Sequence, residues 1–370
     1  MKCVVADDAL VAVDVATTAF GIFDCNGKLI PASRQYRKNN AQFIPKKSRR
    51  QQSRRMDVDA VFMGNLYPHF GHFMLEHLNR AWGVGENTRG MKYMFIDNRN
   101  MGAPQGFVYA FMEMLGVARE DVLIVRENTR FRRVIIPAQS FNIGAYASRQ
   151  FGDAFGRMTQ NVPASAKWDK IYVSRAKLDG GKTFGEEHVQ RIFERNGFHV
   201  IYPETMSLAD QVAIMRGCRV LAGCAGTALH LALFMERGGT VIQLKRNRGN
   251  DDSAPTQYMI NRSRGHSSVF VSASIELHKS KHSSTMPQII GVTPHMKRFF
   301  DDFKFKTTPR DFARDDIGTT EYLAALNAWT ATNGGTWYAT FKHRFIKIVS
   351  CIVPGRVNRG RFRQWLKRVM

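Results

Sequence analysis

The stretch KIYVSRAKLDGGKTFGEEHVQRIFERNGFHVIYPETMSLADQVAIMRGCRVLAGCAGTALHLALFMERGGTVIQL, residues 170–244, decides the fold. Short β-branched and aromatic runs alternate in it with segments of helical period. Residues 170–175, 198–204, 219–223 and 240–244 read as strands. Between them, 186–197 reads as a helix with Val189, Ile192 and Phe193 on one stripe and Asn196-Gly197 as its stop. A second helix, 207–218, has Ser207 at its cap and Asp210 three residues on, and 227–235 reads as a third. Strand–helix alternation with short connections specifies βαβ units and a parallel sheet covered by helices on both faces. Ligands in such sheets bind outside the carboxyl ends of the strands. The residues that follow YVSR, YPE, LAG and IQL are therefore the first candidates for a site.

Two of those places carry anion-binding chemistry. At 223–234, GCAGTALHLALF, a strand ends at Gly223 while Gly226 and Thr227 open a helix, where free N–H groups and the helix dipole favour a diphosphate. Thr227 adds a hydroxyl, and His230 lies on the first turn. At 174–182, SRAKLDGGK, Ser174 and Arg175 end a strand, and Lys177 and Lys182 follow in a loop. Arg175 suits bidentate phosphate contact. The spacing is neither G-x-x-x-x-G-K-[ST] nor a clean G-x-G-x-x-G, so neither an ATP nor an NAD site is supported.

Outward from this half, the N-terminal part shows shorter strand signals (CVVA, KYMFID, DVLIV, RVIIPA) and a helical pattern from Pro104 to Leu115. It also holds GNLYPHFGHFMLEHLNRAWG, residues 64–83, with His69, His72, Glu76 and His77 inside nine positions. Read as a helix over 71–82, Phe73, Met74, His77, Leu78, Ala81 and Trp82 make a core stripe. His72, Glu76 and Asn79 then share a neighbouring strip, where a carboxylate one turn from a histidine can orient it. A zinc site at His69, His72 and Glu76 is conceivable, but the spacing is not H-E-x-x-H and no fourth ligand is evident. Histidines that merely pack and cap a core helix are the other alternative.

Composition narrows the class. The chain has 370 residues, 44% of them hydrophobic with 26 Phe, enough for two domains with real cores. No run of eighteen apolar residues occurs, and the N-terminus reads as a folded strand rather than a signal peptide. Five cysteines (Cys3, Cys25, Cys218, Cys224, Cys351) without a C-x-x-C pair argue against a disulfide framework and for a reducing compartment, the cytoplasm by default. The net charge is +23. Ten Lys/Arg fall between Lys28 and Arg55 with no acid, and the tail 341–370 carries nine and no acid. Such clustering implies an anionic partner: nucleic acid, an acidic polymer or an anionic membrane. In the tail, Phe362, Trp365, Leu366 and Val369 interleave with cations, a pattern that suits a helix lying on a membrane surface.

The order of motifs resembles glycosyltransferase family 61. The residues that carry the resemblance are Ser174-Arg175, Lys182 with Glu186, Pro203-Glu204, Gln211, then Gly223, Gly226, Thr227 and Phe234. Gly71, His72 and Glu76 match the family's Gly-His and acid in the N-terminal part, so the likeness covers roughly residues 60–245. Gly185 stands where the family usually has Asn, Ala225 where many members have His, and Leu231 where Asn is common.

The resemblance implies an α/β, GT-B-like architecture of two Rossmann-like domains with parallel sheets facing across a cleft. The expected units are 1–165 for the acceptor, 166–300 for the nucleotide sugar, and a helical segment 301–370 ending in the basic tail. It implies inverting transfer from a nucleotide sugar, UDP by analogy, to a capsule or lipopolysaccharide acceptor that is an oligosaccharide or a lipid-linked saccharide, with no cofactor and no metal. His72 and Glu76 are the expected catalytic residues, and His69 and Asn65 the acceptor-binding ones. Ser174, Arg175, Lys182, Glu204, Gly226, Thr227 and His230 are the expected nucleotide-sugar contacts. The expected location is cytoplasmic, peripheral on the inner face of the membrane through 341–370. The alternatives are a basic nucleic-acid-binding protein, for which no helix-turn-helix, RRM or zinc motif is visible, and a non-catalytic scaffold at a membrane.

Overall fold

A computed structural model of the chain describes residues 1–38, 40–42, 53–67, 69–165, 168–178, 183–247, 253–275, 286–312 and 318–333. Two sheets dominate it. The first is mixed and is built from Cys3–Asp14 (β1), Ala19–Phe23 (β2), Arg54–Asn65 (β3), Lys92–Ile96 (β4), Val122–Val125 (β5) and Thr129–Pro137 (β6). Its order is β2-β1-β6-β3-β4-β5. The four strands β6, β3, β4 and β5 run parallel, and β1 and β2 extend the sheet as an antiparallel pair. The strand signals at CVVA, KYMFID, DVLIV and RVIIPA are borne out.

The central strand β3 has no counterpart among them. Its outer half alternates Arg54, Arg55, Asp57 and Asp59 and so looks like surface, while Ala60, Val61, Phe62 and Met63 are wholly buried. The charged half is stabilised by cross-strand pairs such as Arg132–Asp59 at 2.8 Å.

The second sheet is wholly parallel: Lys170–Val173 (β7), His199–Ile201 (β8), Val220–Cys224 (β9), Thr240–Lys245 (β10) and Ser267–Ser272 (β11), in the order β8-β7-β9-β10-β11. Four of these are the expected strands; β11 adds an edge. The expected helices are present at Glu186–Arg195 and Leu208–Gly217, the latter with the Ser207 Oγ accepting from the Asp210 N–H at 3.1 Å. In each sheet the strand order reverses once among the parallel strands, between β6 and β3 and between β7 and β9. Crevices open at the carboxyl ends there.

Two segments depart from regular helix. Residues 70–83 form one α-turn (Phe70–His72), a π-helical turn (Phe73–His77) and a 3-10 run (Leu78–Gly83). Residues Thr227–Phe234 form a 3-10 helix rather than an α-helix. Both follow a strand end at a reversal, and both press against the other: a Cβ on Gly71 would stand 2.6 Å from the Thr227 Oγ1. π-Turns of this kind concentrate at functional sites.

A continuous apolar cluster joins the sheets. Phe111 on the helix Gly106–Met114 and Phe155 on the helix Arg149–Gln160 meet Phe234 at ring distances of 6.2 and 5.5 Å. Helix Arg149–Gln160 seats Gly152 directly on the backbone of Ser263, where a Cβ would meet the carbonyl oxygen at 2.3 Å. The buried Arg264 donates to the carbonyls of Gly152 and Met235 across the same seam. Among the described residues no helix is long and apolar enough to cross a membrane. The basic tail 341–370 lies outside the described residues.

Candidate active site

At the carboxyl end of β3 the chain turns through His69, Gly71 and His72 onto the irregular helix. The π-turn brings Glu76 back over His72, with Nδ1 of His72 2.5 Å from Oε2 of Glu76. Arg37, on a hairpin of Gln35–Arg37 with Asn40–Gln42, closes on the same carboxylate. Its Nε donates to Oε1 at 3.0 Å and its Nη2 to Oε2 at 2.6 Å. Burial alone pushes the Glu76 carboxyl up. The hydrogen bonds and charges of His72 and Arg37 outweigh burial and hold it at about 2. Glu76 is therefore anionic and can only accept, so Nδ1 of His72 is the donor in this contact, and in the neutral ring the lone pair lies on Nε2. Arg37 Nη2 lies 3.4 Å from the same Nδ1, too far to compete with the Glu76 contact.

His69 is exposed; its Nδ1 accepts from the backbone N–H of His72 at 3.4 Å, and its ring meets the His72 ring edge-on at 4.8 Å. Burial, then the neighbouring His72, lowers its pKa. His77 is buried in the core, as its place on the apolar stripe implies, and burial lowers it to about 3, so it is neutral. Asn79 is structural: it is buried and donates to the carbonyl of Glu76 at 2.8 Å. Asn65, the last residue of β3, is 1% exposed and its Oδ1 has no hydrogen-bond partner.

Across from this wall stand the residues at the β7/β9 reversal. Ser174 is buried and its Oγ accepts from the Ala176 N–H at 3.1 Å, shaping the turn. The Arg175 N–H donates to Oε1 of the buried Glu186 at 3.0 Å. Its guanidinium lies so close to Gly226 that a Cβ there would meet Nη1 at 2.8 Å, and its buried Nε has no partner. Gly185 caps the following helix at φ +77°, a left-handed conformation that Gly and Asn both tolerate. This accounts for Gly at a position where Asn is usual. Glu186 is pushed up to about 7 by burial, against the pull of the Arg175 N–H and guanidinium.

His230 is half-buried, and its Nδ1 is 3.0 Å from Oε1 of Gln257. The Gln257 amide nitrogen is already spent on the Leu229 carbonyl and Asn261, so Nδ1 of His230 is the donor and Nε2 the acceptor. Burial lowers its pKa to about 4, so it adds no positive charge at neutral pH.

Arg37, Gly71 and His72 from the first wall line one cavity of about 310 Å³ together with Gly226, Thr227 and His230 from the second. A second cavity of about 260 Å³, lined by Asn65, Tyr67, Arg99 and Gln35, lies on the other side of His72, which borders both, as does Arg37. Thus His69, His72, Gly226, Thr227 and His230 are brought to one cleft, Arg175 touches its Gly226, and Asn65 and Glu76 face the neighbouring cavity. Glu204 is exposed on a one-turn helix after β8 and lines neither cavity. Lys182 lies outside the described residues. Among the described residues no group of three or more His, Cys, Asp or Glu is placed to hold a metal ion.

Three residues of this region are absent from the sequence-based expectation. Arg37 belongs to the basic run read there as bulk charge. Arg246, one residue beyond β10, is buried and donates to the Ala225 carbonyl at 2.8 Å. Gln257, which fixes the tautomer of His230, sits on a helix without a pattern that singles it out.

No curated protein matches the chain significantly. The family model described as Glycosyltransferase 61 matches residues 70–242. That span begins at the turn carrying His72 and Glu76 and ends within β10, so it takes in both walls of the cleft; residues 70–242 are similar to glycosyltransferase family 61, and the match marks the chain as a glycosyltransferase.

Proposed function

We propose that the chain transfers a sugar from a nucleotide sugar, with UDP as the leaving group, to a cell-surface saccharide acceptor of capsule or lipopolysaccharide type, with inversion and without a metal. The observation that carries this reading is His72: oriented by an anionic Glu76, it borders both the cavity that contains Gly226 and Thr227 and the cavity that contains Asn65. In this reading the acceptor hydroxyl gives its proton to Nε2 of His72 as its oxygen bonds to the anomeric carbon. The bond from that carbon to the diphosphate breaks, and the electron pair leaves with the diphosphate. Positive potential for the leaving group comes from Arg175, whose Nε is without a partner, and from the N–H groups at Gly226 and Thr227, with Lys182 as a further cation. Glu76, with no appreciable proton affinity at neutral pH, positions His72 rather than acting as base. His230, a neutral acceptor, suits a ribose or sugar hydroxyl.

The two sheets, each with its own reversal, support a GT-B-like division into an acceptor unit (1–165), a nucleotide unit (166–300) and a C-terminal helical segment (301–370). The cation–aromatic pattern of 341–370 supports peripheral attachment to the inner face of the cytoplasmic membrane. The test is a thermal-shift panel of UDP, CDP, GDP and their sugars on wild type and Arg175→Ala, with turnover measured with and without EDTA. UDP should stabilise the wild type, Arg175→Ala should lose most of that shift, and EDTA should leave turnover intact. If no nucleotide stabilises the wild type, the transfer reading fails.

A further inference from the structure

We propose that the cavity beside His72 on the β3 side binds an acidic sugar, so that the residue of the acceptor taken there bears a carboxylate or phosphate substituent. This deepens the transfer reading and rests on it for the word acceptor.

The cavity is built of polar groups that the protein itself leaves unsatisfied. Gln35 is 3% exposed, and neither its Oε1 nor its Nε2 has a hydrogen-bond partner; the same holds for Oδ1 of Asn65 and Nδ1 of His77. All three residues line this cavity. A buried polar atom without a partner keeps the cost of its lost hydration, and four such atoms around one space form a surface made to be completed by a ligand. Three of the four can accept, one donates, and Tyr67 adds an aromatic wall. Sugar hydroxyls, each both donor and acceptor, meet that requirement; an apolar ligand does not.

Charge selects among sugars. Glu76 is the one carboxylate among the described residues lining this cavity, and its charge is already taken up by the Arg37 fork and the His72 Nδ1–H. Arg99 stands at the exposed rim with its guanidinium 4.8 Å from the centre of the Tyr67 ring. His77, lowered to about 3 by burial, is neutral. Among the described residues lining the cavity the balance is therefore positive, and a planar guanidinium at the rim has the geometry to meet a carboxylate or phosphate in two parallel hydrogen bonds. The net charge of +23 acts in the same direction at long range, raising the local concentration of an anionic polymer.

The experiment measures binding of three ligands to the full chain in the presence of UDP: methyl glucuronoside, methyl glucoside 6-phosphate and methyl glucoside. At least one acidic ligand should bind about tenfold more tightly than the neutral one, and the advantage should shrink as salt is raised. Arg99→Gln should reduce the acidic ligand to the level of the neutral one while the UDP-induced thermal shift is unchanged, and Gln35→Leu should weaken all three. Which acid binds identifies carboxylate or phosphate. Equal affinity for the three, no binding of any, or an acidic preference that survives Arg99→Gln would overturn the proposal. Stabilisation by UDP in the same samples shows that the transfer reading stands even then, whereas its absence with intact acidic-sugar binding is a failure of the transfer reading alone.

Discussion

Replacing Gly71 by Ala tests the contact that closes the cleft. A Cβ at Gly71 would lie 2.6 Å from Oγ1, 2.8 Å from Cγ2 and 3.3 Å from Cβ of Thr227. Ordinary contact begins at 3.4 Å, so the worst approach is short by 0.8 Å (3.4 minus 2.6). Rotating Thr227 gives no relief. Its three staggered positions hold Oγ1, Cγ2 and a hydrogen, two of them point at Gly71, and every rotation leaves at least one heavy atom in the clash. The backbone must move instead, at about 1–3 kcal/mol for an overpacked site. Gly71 is not among the positive-φ glycines, so without this contact Ala in a helical turn would stabilise by roughly 0.5–1 kcal/mol. The two cases thus differ in sign. Urea unfolding of Gly71→Ala, Thr227→Ala and the double variant reads the result. Thr227→Ala removes the two nearest atoms, so Gly71→Ala should cost about 1–2 kcal/mol less in that background. Turnover should fall in the single variant by up to about a hundredfold, because a shift near 1 Å separates groups that must converge. A Gly71→Ala protein that is as stable as wild type, or equally destabilised with Ala at 227, would refute the close approach.

His72→Ala should lower turnover by about 10²–10⁴-fold while keeping the UDP thermal shift; a smaller loss removes His72 as the base. Glu76→Gln should also slow turnover, since the amide no longer fixes the His72 proton on Nδ1, and the loss should be smaller than for His72→Ala. The two buried carboxyls leave opposite marks on stability. Glu76, held at about 2 against an ordinary 4.5, contributes stability that is present above pH 4.5 and lost as pH falls towards 2. Glu186, raised to about 7, contributes stability that is complete below pH 4.5 and lost as pH rises through 7. Glu186→Gln should therefore gain on wild type between pH 5 and 8 by an order of 2–3 kcal/mol in urea unfolding; parallel curves would show that the carboxyl is not ionising in its buried place. Removing residues 341–370 should release the protein from vesicles containing anionic lipid in a flotation assay, and unchanged flotation would rule out the tail as anchor.

The second sheet was legible in the sequence because its inner strands β7, β9 and β10 are buried on both faces and so read as unbroken apolar runs, as in KIYV and TVIQL, with caps such as Ser207 and stops such as Asn196-Gly197 between them. The first sheet was less so. In β3 the period-2 signal is masked: its outer half carries Arg and Asp side chains that pair across strands, and the acid-free run before it draws the eye to charge. The helical periodicity of 71–82 led to the right neighbours for a reason that differs in part from the one assumed. His72 and Glu76 do meet one turn apart, but through a π-turn, and Asn79 leaves their strip to hold backbone. The α-helix expected at 227–235 is instead a 3-10 run, which opens where Thr227 packs against Gly71 and Gly226 against Arg175, close approaches that a helical period does not encode.

The choice between His72 and Glu76 shows what kind of information a linear reading lacks. Two adjacent candidates on one strip are chemically equivalent until a third group breaks the symmetry, and that group, Arg37, lies 39 positions from Glu76, inside a run whose cations look interchangeable. Its fork takes both carboxylate oxygens and makes Glu76 a fixed anion rather than a proton acceptor. With Glu76 fixed, Nδ1 of His72 is held as the donor, and in the neutral ring the lone pair on Nε2 belongs to the one ring that borders both cavities among the described residues. Arg37→Ala is then predicted to act on the histidine it barely touches. Turnover should fall together with the Glu76 acid limb of stability, and Arg37→Lys, a point charge without the fork, should restore only part of either.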